Sequence, residues 1–128
     1  MRIGVPKETK NHEYRVGLTP EGVCSLTRAG HEVWVERGAG AAIGFSDDQY
    51  RAAGARLVCT ATAFAAELVI KVKEPSLEEC ERLEPGQTLF TYLHLAAAQA
   101  QALALKRSGC TAIAYETVED EQGRLPLL

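Results

Sequence analysis

Apolar residues in this chain fall into short β-prone runs that alternate with helical stretches. Residues 2–6 predict a brief strand. Thr19-Pro20-Glu21 predicts a helix start, with a hydroxyl N-cap, proline at the first helical position and an acid near the positive end of the dipole. That helix runs to residue 29 and stops at Gly30. Residues 31–36 alternate as a strand does, with Val33 and Val35 on one face. The pattern then repeats. Ser46-Asp47-Asp48 caps a short helix ending at Gly54, and a strand follows over 56–59. Residues 60–66 suit a helical turn or two, and 68–72 a strand. Ser76 with Glu79 has capping-box spacing for a helix reaching about Leu83. Pro85-Gly86 marks a turn, 87–93 a strand, 96–107 an alanine-rich helix stopped by Gly109, and 111–115 another strand.

Six strand candidates separated by helices predict an α/β domain of the Rossmann-like (flavodoxin-like) layered kind. Its sheet is expected to be mainly parallel, about six strands wide, flanked by helices and joined by right-handed crossovers. No repeat, low-complexity tract or linker interrupts residues 1–128, so one domain is expected. The last segment turns at Gln122-Gly123 and stops on Leu125-Pro126-Leu127-Leu128, an apolar end from which truncation is expected.

Composition narrows the classes. Apolar residues make up 46% and charged residues 24%, with a net charge of −3, the balance of a globular domain. No basic stripe invites nucleic acid, and no acidic tail is present. The apolar runs fall short of the ~20 residues a membrane span needs. The opening Met1-Arg2-Ile3-Gly4-Val5-Pro6-Lys7-Glu8 lacks the long apolar stretch of a secretory signal, so a cytoplasmic location is expected. Cys24, Cys59, Cys80 and Cys110 form no C-x-x-C pair. Buried, reduced thiols are expected, with Cys59 and Cys110 in apolar strand-like surroundings.

In open parallel sheets, ligands bind outside the carboxyl ends of the strands. There the first strand leads to Lys7, Glu8, Lys10 and Arg15, the strand 68–72 to Lys73-Glu74-Pro75, the strand 87–93 to His94, and the last strand to Tyr115-Glu116. A parallel sheet therefore brings Arg15, Lys73 and His94 to one edge: a guanidinium, an amine and an imidazole for a small anion. Each has a plainer alternative. Arg15 could be a solvated loop residue. Lys71 and Lys73, expected on one face of an apolar strand, need partners, and Glu74 could serve Lys73. His94, between Leu93 and Leu95, could be a satisfied core histidine, although its titration range suits acid–base work.

Gly38-Ala39-Gly40-Ala41-Ala42-Ile43-Gly44 superficially resembles a dinucleotide fingerprint. Its spacing is G-x-G-x-x-x-G, no helix begins at the second glycine, and no strand ending in an acid follows at the required distance. A flexible glycine loop is expected instead. No other glycine fingerprint or Walker-type loop is present, so the chain shows no nucleotide site of its own.

These residues resemble a known family. Residues 2–8, Glu13-Tyr14-Arg15-Val16, Leu18-Thr19-Pro20, Gly30-His31-Glu32-Val33, Gly38-Ala39-Gly40 and Gly44-Phe45-Ser46-Asp47 are similar to the opening of alanine dehydrogenases and of nicotinamide nucleotide transhydrogenases. Lys71-Val72-Lys73-Glu74-Pro75 and Thr91-Tyr92-Leu93-His94-Leu95-Ala96 resemble the alanine dehydrogenase branch, as do residues 111–117 and 125–128. The resemblance covers the whole chain. It implies a substrate-binding domain for L-alanine and pyruvate, with NAD held by a further Rossmann domain absent from this chain. That domain would also supply an aspartate working with the histidine. Homo-oligomers, commonly hexamers, are implied too.

By the same resemblance, Arg15 pairs with the substrate carboxylate. Lys73 hydrogen-bonds the carbonyl or carbinolamine oxygen, and His94 acts as general acid–base. The chain alone is expected to bind pyruvate weakly at most and not to turn over. Two other readings stand beside this one: the N-terminal domain of a transhydrogenase α subunit, against which Lys73 and His94 speak, and a non-catalytic stand-alone binding module.

Overall fold

Branched side chains favour pleated backbone, and Ile3, Val5, Val33 and Val35 stand on two paired strands of a sheet. Arg2–Val5 (β1) and Glu32–Glu36 (β2) run in parallel, Ile3 opposite Val33 and Val5 opposite Val35. Arg56–Val58 (β3), Leu68–Ile70 (β4), Thr88–Thr91 (β5) and Thr111–Ala114 (β6) complete it. The order is β3-β2-β1-β4-β5-β6, and every pairing is parallel. The computed structural model describes residues 1–128. The direction of winding reverses between β1 and β4, which opens a crevice at the carboxyl ends of those strands.

The helices are Pro20–Arg28 (α1), Asp47–Ala52 (α2), Thr60–Phe64 (α3), Leu77–Cys80 (α4) and Gln99–Ser108 (α5). Their starts follow local chemistry. Thr19 Oγ1 accepts from the amide of Gly22, and Ser46 and Ser76 form full capping boxes with Gln49 and Glu79. Two helices are shorter than the apolar pattern predicts. After Cys80 the chain turns, although Leu83 still reaches the core. Before α5, a 3₁₀ turn over Leu95–Ala97 and the non-helical Ala98 delay the start to Gln99.

Helices on both faces divide the core. Under α1 and α2 lie Ile3, Val5, Val23, Val33, Val35 and Tyr50. Phe64, Val69, Cys80, Leu83, Leu89, Leu93 and Leu105 form a second cluster beneath α4 and α5. Between α3 and the sheet, a Cβ on Gly4 would overlap the carbonyl of Ala63, so only glycine lets that helix lie directly on β1. No helix is long and apolar enough to cross a membrane.

All four cysteines are free, but only Cys80 is buried. Cys24 and Cys110 are half-buried and Cys59 is exposed, contrary to the expectation of buried thiols. β3 ends at Val58, so Cys59 sits at the cap of α3 rather than in the sheet.

Candidate functional site

The crevice at the switch between β1 and β4 is roofed by residues 6–18, the segment leaving β1. A buried ionic cluster ties it down. The Glu8 carboxylate accepts from Lys71 Nζ at 3.1 Å and from the amide of Val72 at 2.7 Å. Lys71 Nζ also donates to Glu79 Oε1 at 3.3 Å, and Thr9 Oγ1 donates to the same oxygen at 3.2 Å. Only 1% of the Lys71 side chain is exposed. A buried lysine needs such partners, and the two carboxylates supply them. Because Glu79 also caps α4, this cluster holds both ends of the Lys73-Glu74-Pro75 turn.

The expected pairing of Lys71 and Lys73 on one strand face does not hold. β4 stops at Ile70, and the two lysines enter different surroundings. Glu74 pairs with Lys10, not with Lys73. The Lys73 ammonium instead lies over the ring of Tyr92, 5.3 Å from its centroid. Its backbone is fixed by the fully buried Thr91, whose Oγ1 donates to the Lys73 carbonyl at 2.8 Å. The neighbouring Val72 carbonyl accepts from the Tyr115 hydroxyl at 2.6 Å.

Arg15 is exposed and forms a fork with Glu13: Nε to Oε1 at 2.8 Å and Nη2 to Oε2 at 2.7 Å. The Arg15 guanidinium, with a smaller contribution from the Lys73 charge, brings the Glu13 carboxyl down to about 2. Two of the five guanidinium N–H groups face Glu13, which leaves three for an incoming anion. A pocket of about 270 Å³ opens here, lined by Lys7, Glu8, Glu13, Tyr14, Arg15, Ala39 and Ala42. A larger apolar groove of about 640 Å³ lies between α4 and α5 and contains none of these groups.

His94 follows β5 and is exposed, not a core histidine. Its φ of 46° and ψ of 42° place it in the left-handed region. The ring stacks on that of Tyr92, and Nδ1 lies 3.3 Å from the Tyr92 hydroxyl. The Glu116 carboxylate accepts from the amides of Leu93 and His94, both at 3.0 Å through Oε1. Burial would raise the Glu116 carboxyl, but these amides and the His94 side chain outweigh it and hold it below the ordinary range.

Arg15, Lys73 and His94 thus stand at the carboxyl ends of β1, β4 and β5, which are neighbours in the sheet. Glu13 links the first two electrostatically, and Tyr92 touches the last two. The sequence reading named Glu13, Tyr92 and Glu116 but gave none of them a role. The first two stand two positions before Arg15 and His94, and on extended backbone that spacing shares a face. Glu116 offers no such signal.

The residues present do not fit a dinucleotide. The segment after β1 carries no glycine turn leading into a helix, and the glycine loop after β2 leads only into a 3₁₀ turn, Ala41–Ile43. Within that loop Gly40 is closely packed and Gly38 is hydrogen-bonded. A Cβ on Gly40 would meet the Tyr50 ring at 2.9 Å, and the amide of Gly38 donates to Asp47 at 2.8 Å. No group of three or more His, Cys, Asp or Glu residues is arranged to hold a metal ion.

Residues 4–128 match the family described as alanine dehydrogenase/PNT, N-terminal domain. An alanine dehydrogenase of Halomonas elongata is 55% identical over all of this chain, which spans 35% of that relative's length. Among solved structures, an L-alanine dehydrogenase superposes with a TM-score of 0.96 at 52% identity, over 98% of this chain and 35% of that one. A transhydrogenase from Sinorhizobium meliloti superposes with a TM-score of 0.86 at 30% identity, over 91% of this chain and 35% of its own. By fold, by the length of the match and by identity, this chain belongs to the alanine dehydrogenase/PNT N-terminal domain family.

Proposed function

We propose that this chain is the substrate-binding domain of an NAD-dependent L-alanine dehydrogenase, which converts L-alanine, NAD⁺ and water reversibly to pyruvate, ammonium, NADH and a proton. The observation that supports this reading is that Arg15, Lys73 and His94 follow the carboxyl ends of three adjacent strands, with Arg15 lining the pocket of about 270 Å³. Arg15 takes the substrate carboxylate with its remaining N–H groups. Lys73, held over Tyr92, donates to the carbonyl or carbinolamine oxygen, where negative charge grows in the transition state. His94 transfers a proton to or from that oxygen or the attacking water through Nε2, the ring nitrogen that faces no protein partner. NAD would supply the hydride acceptor and would be held by residues of a further domain, so the isolated chain would bind pyruvate weakly at most and would not turn over. Assembly as a homo-oligomer in the cytoplasm is part of the same reading.

The test is calorimetric titration of the chain with pyruvate, together with alanine oxidation by the same chain joined to an NAD-binding domain. Loss of pyruvate binding in Arg15→Ala, with a fall of about 10²–10⁴-fold in turnover for His94→Ala, supports the reading. Full activity in both variants overturns it.

A further inference from the structure

His94 is one of only two non-glycine residues with positive φ, the other being His12. A β-carbon makes this region costly, and such a conformation persists only where its surroundings over-determine it. The groups that could do so can be enumerated. The 3₁₀ turn that follows donates only one long bond to the His94 carbonyl, from the amide of Ala97 at 3.4 Å. Tyr92 touches the ring but not the backbone. The backbone here is met by Glu116, whose carboxylate gathers the consecutive amides of Leu93 and His94 from 23 and 22 residues away in sequence. With two successive N–H groups on one carboxylate, the peptide that leads into His94 is pinned, and the left-handed backbone starts from that fixed amide.

Glu116 itself is well seated. It lies in the 3₁₀ turn Tyr115–Thr117 directly after β6, and Tyr115 beside it is bonded to the Val72 carbonyl. The last strand of the sheet therefore delivers an anion beneath the residue at the end of the strand next to it.

We propose that Glu116 is a positioning residue for the dehydrogenase reaction: its carboxylate holds the His94 backbone in the left-handed conformation that presents the imidazole to the substrate crevice. This rests on the acid–base reading of His94 given above. Glu116 does not touch the reacting atoms and acts only through His94.

A double-mutant cycle on alanine oxidation tests this, using the chain joined to its NAD-binding domain. Glu116→Ala is expected to lower kcat about 10–100-fold with KM for alanine changed less than about threefold, since a misaimed group costs turnover rather than binding. Glu116→Gln keeps one acceptor oxygen and should fall between the two, which keeps the test open if the alanine variant folds poorly. Added to His94→Ala, either Glu116 change should cost nothing further, and amide exchange at Leu93 and His94 should quicken while that of β4 and β5 does not. Additive losses, or unchanged kcat in both single variants, overturn the positioning role. A His94→Ala enzyme of full activity overturns the acid–base reading beneath it, whatever Glu116 does to the amides.

Discussion

The ring of Tyr92 lies nearly parallel to that of His94, 14° apart with centroids 5.7 Å distant, while the same ring receives the Lys73 ammonium. One aromatic side chain thereby spaces the two groups expected to act on the substrate oxygen. Its hydroxyl reaches Nδ1 of His94 and can donate to that nitrogen or accept from it. With Nε2 exchanging the proton in either direction, Nδ1 keeps its own, and the tyrosine oxygen accepts from it in both protonation states. Tyr92→Phe keeps the stacking surface and removes the bond, so turnover should fall about 3–10-fold in both directions, the worth of one neutral hydrogen bond. Tyr92→Ala should cost more, because Lys73 also loses its platform. Steady-state rates for the two variants check this, and equal losses would mean that the ring contributes nothing beyond its hydroxyl.

Burial of Lys71 between Glu8 and Glu79 gives a stability prediction independent of any reaction. Lys71→Met fills similar volume but leaves two carboxylates facing each other in the interior. Breaking a buried pair from one side costs about 3–5 kcal/mol, while removing all its charges together is close to neutral. Urea unfolding of Lys71→Met should show a loss of that size, most of it recovered when Glu8→Gln and Glu79→Gln are added. No recovery would mean that packing of the lysine stem, rather than its charge, holds the loop.

How much of this was legible beforehand depends on the range of each interaction. The caps at Thr19, Ser46 and Ser76 lie within three residues of their partners, so the starts of α1, α2 and α4 read directly from the chain. The parallel sheet followed from alternation, and with it the gathering of Arg15, Lys73 and His94 at one edge. The end of β4 was misplaced because Lys71 and Val72 continue an apolar-alternating run. Bonds to β5 continue through the Lys71 amide and the Val72 carbonyl, but the Val72 amide goes to Glu8, 64 residues away, rather than to a neighbouring strand. The backbone of His94 was hidden for the same reason: the strand was expected to end at Leu93, and nothing local signals the carboxylate that reaches the His94 amide from the turn after β6.

The Glu13–Arg15 fork predicts a pH dependence. Its native carboxyl titrates near 2 against an ordinary value of 4.5, so the folded state favours the charged form. A depressed native value means stability that is fully present above the unfolded pKa and lost as pH falls through the native one. Wild type should therefore be more stable than Glu13→Gln at neutral pH. The gap should narrow from about pH 4.5 and close near pH 2. The Arg15 side chain is 62% exposed, so the difference should be at most ~1 kcal/mol. Chemical denaturation of both proteins across that range checks the window. A gap that persists at pH 2 would place the effect of Glu13 in its backbone contacts.

Thiol reactivity separates Cys59 from the other cysteines. The Thr62 hydroxyl lies 3.2 Å from Cys59 Sγ, and its hydrogen bond, with the amides that open α3, shifts the exposed thiol downward. Burial acts the other way on Cys80 and pushes it up to about 11. Thiolate is the reacting species, so both exposure and ionisation favour Cys59. Maleimide labelling followed by mass spectrometry at pH 7 should modify Cys59 first, at least ~100-fold faster than Cys80, with Cys24 and Cys110 between them. Thr62→Val should slow Cys59 alone, by removing the hydroxyl while leaving its exposure intact. If it does not, the short α3 helix rather than Thr62 sets the thiol's ionisation. Labelling of Cys80 at a comparable rate would show that α4 opens readily, which its four residues and its dependence on the Glu79 cap make the weakest point of that face.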